Sequence, residues 1–273
     1  MSNQRFKFTK VLNHGTNNPI VNRLSLQFFE LFKTNLINLS DKKIEKIKEF
    51  LHECTLDLIK AQELFKNYLE LQNETINKII EEKEIKIKEN VIQYNDPSYE
   101  LNKYFEDFLI RNVIALRKTI KIAECVFDKK FDGPKDLLKY LKKVFTNEKE
   151  YIKMLNEDSK WYKELYDYRG KVEHSKLEIT NFEVYLDKND KPLVKKQILV
   201  DKNCTLEEYM DVTLYNVFSY CEDFTVMLLK LHCSDIMRIV QIPENQRENH
   251  RNFKYTYDLR EDLKSKLLDK EDS

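Results

Sequence analysis

Residues 41–68 read DKKIEKIKEFLHECTLDLIKAQELFKNY, and this stretch decides the class of the fold. Its apolar or small side chains recur at alternating steps of three and four, a spacing that places them on one stripe of an α-helix. The stripe consists of Ile44, Ile47, Leu51, Cys54, Leu58, Ala61, Phe65 and Tyr68. Because it lasts about three and a half heptads, it predicts a long helix that packs against a second helix.

Glycine and proline are scarce in the rest of the chain. Its 273 residues include 3 glycines and 5 prolines, a composition that favours long helices over sandwiches or barrels. Gly15, Gly133 and Gly170 stand far apart, so the chain has no phosphate-binding loop, no dinucleotide-binding fingerprint and no G-x-S-x-G elbow. Nucleotide-binding and hydrolase chemistries that use those loops are therefore not expected.

Further periodic segments extend the helical prediction. An apolar stripe predicts a helix from Ser98, and shorter helices are predicted at 135–145 and 147–157. Residues 160–174 form another predicted helix, and the capping box Thr205-Leu-Glu-Glu208 opens a last one. Only residues 178–201 alternate with the period of two that is typical of a β-hairpin. The sequence thus predicts an all-α fold, a helical bundle with one small β-hairpin insertion.

Breaks in the pattern divide the chain into three predicted parts. Residues 1–97 form an N-terminal helical extension that carries the short heptad stripe, and its charged 81–90 segment is expected to be a solvated face or a loop. Residues 98–240 form a helical core that includes the hairpin. Residues 241–273 form a polar tail, expected to be loosely held, with at most a short helix near 258–268.

Charge, cysteine and histidine counts set further expectations. The 47 basic and 47 acidic residues cancel, but a balanced total can conceal a local basic groove.

No apolar run approaches the roughly 18 residues of a membrane span, so we expect a cytoplasmic protein without a membrane partner. The five cysteines lack a C-x-x-C pair and are expected to be reduced, and no histidine has a second ligand at helical spacing. Neither a metal nor a cofactor is therefore predicted.

The candidate chemistry lies in residues 161–175, WYKELYDYRGKVEHS, where Arg169 is followed after four residues by His174. This R-x4-H pair sits near the end of a predicted helix, with aromatic residues upstream and a long capped helix downstream. In these features the stretch resembles the R-x4–6-H signature of the HEPN superfamily. The resemblance covers roughly residues 98–235 and does not account for 1–95.

The resemblance implies an all-α, commonly dimeric domain, and many members of the superfamily are metal-independent endoribonucleases of toxin–antitoxin, anti-phage or CRISPR systems. Such cleavage needs a base, an acid and a cation for the phosphate; His174 and Arg169 offer these groups, and a two-fold dimer would supply each twice. Asp167 and Glu173 are candidates for orienting the pair, and Tyr166 for stacking on a base. RNA, a second copy of the chain and an antitoxin or defence protein are the expected partners.

Helix geometry leaves alternatives open. Arg169 and His174 lie about 140° and about 8–9 Å apart on an ideal helix, so they converge on one phosphate only if the arginine folds over the helix or the helix loosens after Gly170. Family nucleases often carry a polar residue at the position of Gly170. Arg169 could instead pair with Glu173 while His174 merely ends the helix. The chain would then be a non-catalytic RNA-binding or protein-interaction module, or a helical scaffold that uses the 44–68 stripe.

Overall fold

The chain folds mainly into helices, as its periodicity predicts. The structure, a computed structural model, describes residues 15–81, 86–88, 91–146 and 148–260. Its helices are α1 (Pro19–Val21), α2 (Gln27–Lys33), α3 (Asp41–Ile80), α4 (Ser98–Phe127), α5 (Pro134–Val144), α6 (Lys149–Glu173) and α7 (Leu206–Lys230). The π-helical segment Asn22–Leu26 joins α1 to α2. The long helices α3, α4, α6 and α7 form the body of the molecule.

The α3 stripe is buried as its spacing predicts. Ile47, Leu58 and Ala61 are fully inaccessible to solvent, and α3 makes its most extensive contact with α4. The α4 residues Phe105 and Leu109 belong to the same hydrophobic core as the α3 stripe. The predicted boundary at residue 97 therefore lies between two helices that share one core.

Helix α6 is continuous over 25 residues, whereas the sequence predicted separate helices at 147–157 and 160–174. That prediction was wrong because nothing between Lys149 and Gly170 breaks a helix, and the residues near 158–160 tolerate helical geometry. The capping box of α7 is confirmed, since the Thr205 hydroxyl accepts from the Glu208 backbone N–H and the Glu208 carboxylate accepts from the Thr205 backbone N–H. Both helices pack on α4.

The strands of the described residues form four separate antiparallel pairs. These are β1 (Lys86–Lys88) with β2 (Val91–Gln93), β3 (Glu183–Leu186) with β4 (Pro192–Lys195), β5 (Ile198–Leu199) with β6 (Cys204–Thr205), and β7 (Met237–Gln241) with β8 (Tyr255–Leu259). The predicted hairpin corresponds to β3 and β4, where Val184 lies opposite Val194. The prediction of a single hairpin was wrong, and β1 and β2 lie where the sequence suggested a solvated face or a loop. Strands of two to five residues leave too short a pattern to recognise.

Ile242 and strand β8 are packed against the rest of the protein, so the prediction of a loosely held tail was wrong for them, although most residues of 243–252 are exposed. Ile242 and Tyr255 are buried. The Gln27 side-chain oxygen accepts hydrogen bonds from the backbone N–H groups of Lys254 at 2.6 Å and Tyr255 at 2.8 Å. Nothing in the sequence pattern indicates this attachment, because the partners are more than two hundred residues apart. Of the predicted helix near 258–268, residues 258–259 belong to β8 and those after 260 lie outside the described residues.

Candidate functional site

The R-x4-H pair occupies the last turn of α6, and that turn is regular. The His174 backbone N–H donates to the Gly170 carbonyl at 3.1 Å, as in an uninterrupted helix. Ser175 takes a left-handed conformation with φ of 53°, its N–H reaches the Val172 carbonyl, and the Lys176 N–H reaches the Lys171 carbonyl. This hydrogen-bond pattern is a Schellman motif. The helix therefore does not loosen after Gly170, which excludes one of the two ways in which the sequence allowed the pair to converge.

Arg169 is held by a neighbour on its own helix. One terminal nitrogen of its guanidinium forms an ion pair with Glu173, the i,i+4 alternative that the sequence left open. The Arg169 side chain is 22% exposed, whereas that of Glu173 is 50% exposed. The Arg169 Nε atom is buried and has no hydrogen-bond partner among the described residues. Arg169 thus keeps one donor unused at the edge of the bundle.

His174 faces the other way. It is exposed, and within the described part of the chain its imidazole forms no hydrogen bond or ion pair. Asp167, seven residues earlier and also exposed, lies on nearly the same side of the helix. The structure therefore groups Arg169 with Glu173 and places His174 on the side of Asp167.

Tyr166 packs inside the helical bundle. Its ring stacks on that of Tyr162 with centroids 5.1 Å apart and an interplanar angle of 20°. The guanidinium of Arg117, from α4, lies 5.7 Å from the same ring. The Tyr166 hydroxyl oxygen is buried without a hydrogen-bond partner in the described chain. A base could reach this ring only if one of these contacts gave way.

Lysines near the end of α6 differ in their availability. Lys171 forms an ion pair with Asp201 across the loop, and Lys202 pairs with Glu164. Lys176 is exposed beside His174 and forms no ion pair with any described residue. Of these three lysines, Lys176 is therefore the one whose charge is not neutralised by a described acidic side chain.

A cavity between α5, α6 and α7 is the site that the sequence prediction missed. Its volume is about 380 Å³, and its walls include Leu138, Leu141, Asp158, Tyr162 and Tyr220. The signal in the sequence was the spacing of four that places Asp158, Tyr162 and Tyr166 on one face of α6. From the sequence we predict only that Tyr166 of this face could stack on a base, because the partners from α5 and α7 are distant in sequence.

Comparison of the chain with protein-family models, with characterised proteins and with solved structures found no significant match. In residues 15–81, 86–88, 91–146 and 148–260, no helix has both the length and the apolar character that crossing a bilayer requires. The same residues contain no group of three or more histidine, cysteine or acidic side chains arranged to hold a metal ion. The geometry at the end of α6 and in the cavity between α5, α6 and α7 is therefore the basis for assigning a function.

Proposed function

We propose that this chain is an endoribonuclease that cleaves RNA without a metal ion, acting as a two-fold dimer that brings two copies of Arg169 and His174 to one cleft. The observation that carries the proposal is the exposed imidazole at the end of α6, free of any described partner and five residues from a guanidinium with an unused buried donor. This is the position that the HEPN resemblance assigns to the catalytic pair.

The regular helix makes a second copy necessary. Because α6 stays helical through His174 and the Arg169 guanidinium is paired with Glu173, the two side chains of one copy diverge by about 140° and do not share a phosphate. Across a two-fold axis, the imidazole of one copy can meet the guanidinium of the other. The cleft would then hold two imidazoles, one to accept the 2′-hydroxyl proton and one to protonate the leaving 5′-oxygen.

Glu173 sets the resting state in this proposal. Its carboxylate neutralises Arg169 until a phosphate competes for the same planar fork of donors. An exposed ion pair of this kind has a stability of at most about 1 kcal/mol, so a phosphate diester held between two copies displaces it readily. RNA binding would therefore exchange one anion for another at Arg169.

Cleavage of single-stranded RNA in EDTA is the test. We expect the wild type to cut, His174→Ala and Arg169→Ala to lose at least about a hundredfold in rate, and the exposed His250→Ala control to cut normally. Light scattering should show a dimer. Intact RNA with a dimeric wild type, or equal rates for His174→Ala and His250→Ala, would remove the nuclease proposal.

A second candidate is a non-catalytic module that binds RNA or protein, and the Arg169–Glu173 ion pair favours it. In that case a labelled RNA would bind without being cut, and Arg169→Ala would weaken binding while His174→Ala would not. A helical scaffold predicts that partner binding survives loss of both residues. The same measurements therefore distinguish the three alternatives.

The HEPN resemblance suggests the setting for the nuclease. We propose a cytoplasmic toxin–antitoxin or anti-phage module, in which an antitoxin or defence protein covers the end of α6. The described cysteines are all free thiols, which agrees with a reducing compartment. Co-expression with the product of an adjacent gene should abolish the cleavage if this setting is right.

A further inference from the structure

The cavity between α5, α6 and α7 has predominantly apolar walls. Leu137, Leu138 and Leu141 of α5 form one side, Leu155 of α6 lies opposite, and tyrosine rings complete the lining. Its volume of about 380 Å³ lies in the range of pockets that enclose small organic ligands. It is lined by neither Arg169 nor His174.

A few polar groups converge on this apolar space. Tyr166 contributes to the lining, whereas its hydroxyl oxygen is inaccessible to solvent and has no hydrogen-bond partner among the described residues. The Asp158 carboxylate lines the same cavity and accepts one hydrogen bond, from the indole Nε1 of Trp161 at 3.0 Å. Its second oxygen has no hydrogen-bond donor within the described chain. An apolar pocket with a few unsatisfied polar groups is the usual form of a small-molecule site.

The electrostatics of the pocket favour a cation. Burial, together with the negative charges of Asp223 and Glu157, raises the pKa of Asp158, although the Trp161 hydrogen bond acts in the opposite direction. Burial also keeps the pKa of Tyr162 well above its ordinary value, so that phenol stays neutral. Aromatic rings attract cations through their faces, and a desolvated carboxylate gains most from a positive partner.

We propose that this pocket binds a small organic ammonium ion, with the cationic nitrogen at the Asp158 carboxylate and the apolar body among the tyrosine rings and the leucines of α5. The inference is independent of the nuclease proposal. Lys135 and Lys163 lie at the same cavity but are exposed, so their charges remain solvated at its mouth. An anionic ligand would find only these screened lysines and would be repelled by the Asp158 carboxylate in the lining.

Trp161 provides the measurement, because it is the only tryptophan in the chain and donates directly to Asp158. Titration of the full chain with 2-phenylethylamine, 2-phenylethanol and 3-phenylpropionate compares a cation, a neutral molecule and an anion of similar shape. We expect saturable changes in tryptophan fluorescence, with the amine binding at least about tenfold tighter than the alcohol and the carboxylate weakest. An alcohol or carboxylate that binds as tightly as the amine, or an amine that causes no saturable change, would overturn the proposal.

Variants locate the site. Asp158→Asn keeps the acceptor for Trp161 but removes the charge, and should reduce amine affinity at least about tenfold while leaving the alcohol unaffected. Leu138→Trp should fill the pocket and abolish binding of both ligands. Glu150→Gln, on an exposed part of α6 and outside the cavity lining, is the control. Unchanged amine affinity in Asp158→Asn would overturn the proposal. If that variant fails to fold, Leu138→Trp decides, since undiminished binding there also overturns it.

Discussion

Two arginine–glutamate ion pairs in different surroundings, Arg23–Glu222 and Arg169–Glu173, show how burial changes the role of the same pair of side chains. Arg23, in the π-helical segment, binds Glu222 of α7, whose side chain is completely buried. Arg169 binds Glu173 one turn away on α6, and that carboxylate is half exposed. The first pair joins segments separated by 199 residues, whereas the second joins neighbours on one helix.

The two pairs differ in whether a donor other than the arginine binds the glutamate carboxylate. Gln27 donates to Glu222 at 2.9 Å, and the Arg23 guanidinium lies 4.4 Å from the ring of Phe218. Burial raises the pKa of Glu222, although hydrogen bonds from Arg23 and Gln27 act in the opposite direction. Glu173 has no such second donor within the described chain. One arginine is therefore part of the architecture, and the other can be released to a ligand.

Breaking the buried Arg23–Glu222 pair should cause the largest loss in the free energy of unfolding. Glu222→Ala leaves the Arg23 charge and the Gln27 amide without their acceptor, and we expect the free energy of unfolding to fall by about 3–5 kcal/mol. Urea denaturation followed by circular dichroism measures it. Glu70→Ala, which removes the exposed i,i+4 pair with Lys66, should cost less than about 0.5 kcal/mol. Equal losses for the two variants would contradict the comparison.

Glu124, near the C-terminal end of α4, is a second buried carboxylate that several donors hold. Its burial raises the pKa, but hydrogen bonds from Lys121, the Phe131 backbone N–H and Lys130 outweigh burial, so the pKa of Glu124 is lowered. Its stabilising contribution is therefore complete above the pKa of the unfolded chain, about 4.5, and is lost as the pH falls through the lower folded value. We expect Glu124→Gln to lose about 2 kcal/mol at pH 7.

The pH dependence of that variant provides the control. Between the two pKa values the wild type loses stability on acidification, and Glu124→Gln should lose less, so the difference between the proteins should shrink as the pH falls below 4.5. Denaturation midpoints measured from pH 7 downwards show this. A difference that is constant with pH would mean that the charge of Glu124 is not the cause.

Gly170 allows the end of α6 to be strengthened. A Cβ added there meets no atom within 4 Å, and the residue is helical, so Gly170→Ala should raise the free energy of unfolding by about 0.5–1 kcal/mol. Because the helix is already regular in the native state, RNA cleavage by the proposed dimer should be unchanged. A variant that is more stable but inactive would show that the helix must loosen for function.

The smallest stability effect is expected at the exposed pair. Glu173→Gln should change the free energy of unfolding by less than about 0.5 kcal/mol, yet it frees Arg169 from its anion. RNA affinity, measured by fluorescence anisotropy at fixed salt, should rise several-fold because one repulsive charge is removed and one arginine is released. Glu70→Gln, which frees Lys66 on an exposed face, should leave the affinity unchanged. A fall in affinity would mean that Glu173 positions Arg169 for RNA.

The sequence predicts those parts of the fold that depend on nearby residues. The stripe from Ile44 to Tyr68, the start of α4 at Ser98 and the capping box at Thr205 were all readable because helix periodicity and caps involve residues three or four apart. The Arg169–Glu173 pair was readable as an alternative for the same reason.

The sequence could not predict contacts between residues that are far apart along the chain. Gln27 looks like any polar residue of a helix, and nothing near it indicates that it binds Glu222 and the backbone of β8. The ammonium pocket likewise needs α5 and α7 to complete the face of α6 that carries Tyr162 and Tyr166. The relation between Arg169 and His174 was predictable as an angle, but only the structure shows that the helix keeps that angle.

The attachment of Gln27 to Lys254 also has a consequence for biosynthesis. The two residues are 227 positions apart, so at about 5–20 residues per second a ribosome makes Gln27 roughly 10–45 s before its partner. During that interval the Gln27 side-chain oxygen lacks the two backbone donors that it has in the finished fold. The hydrogen bonds that hold α2 to residues 254 and 255 therefore form among the last, after more than nine-tenths of the chain has been made.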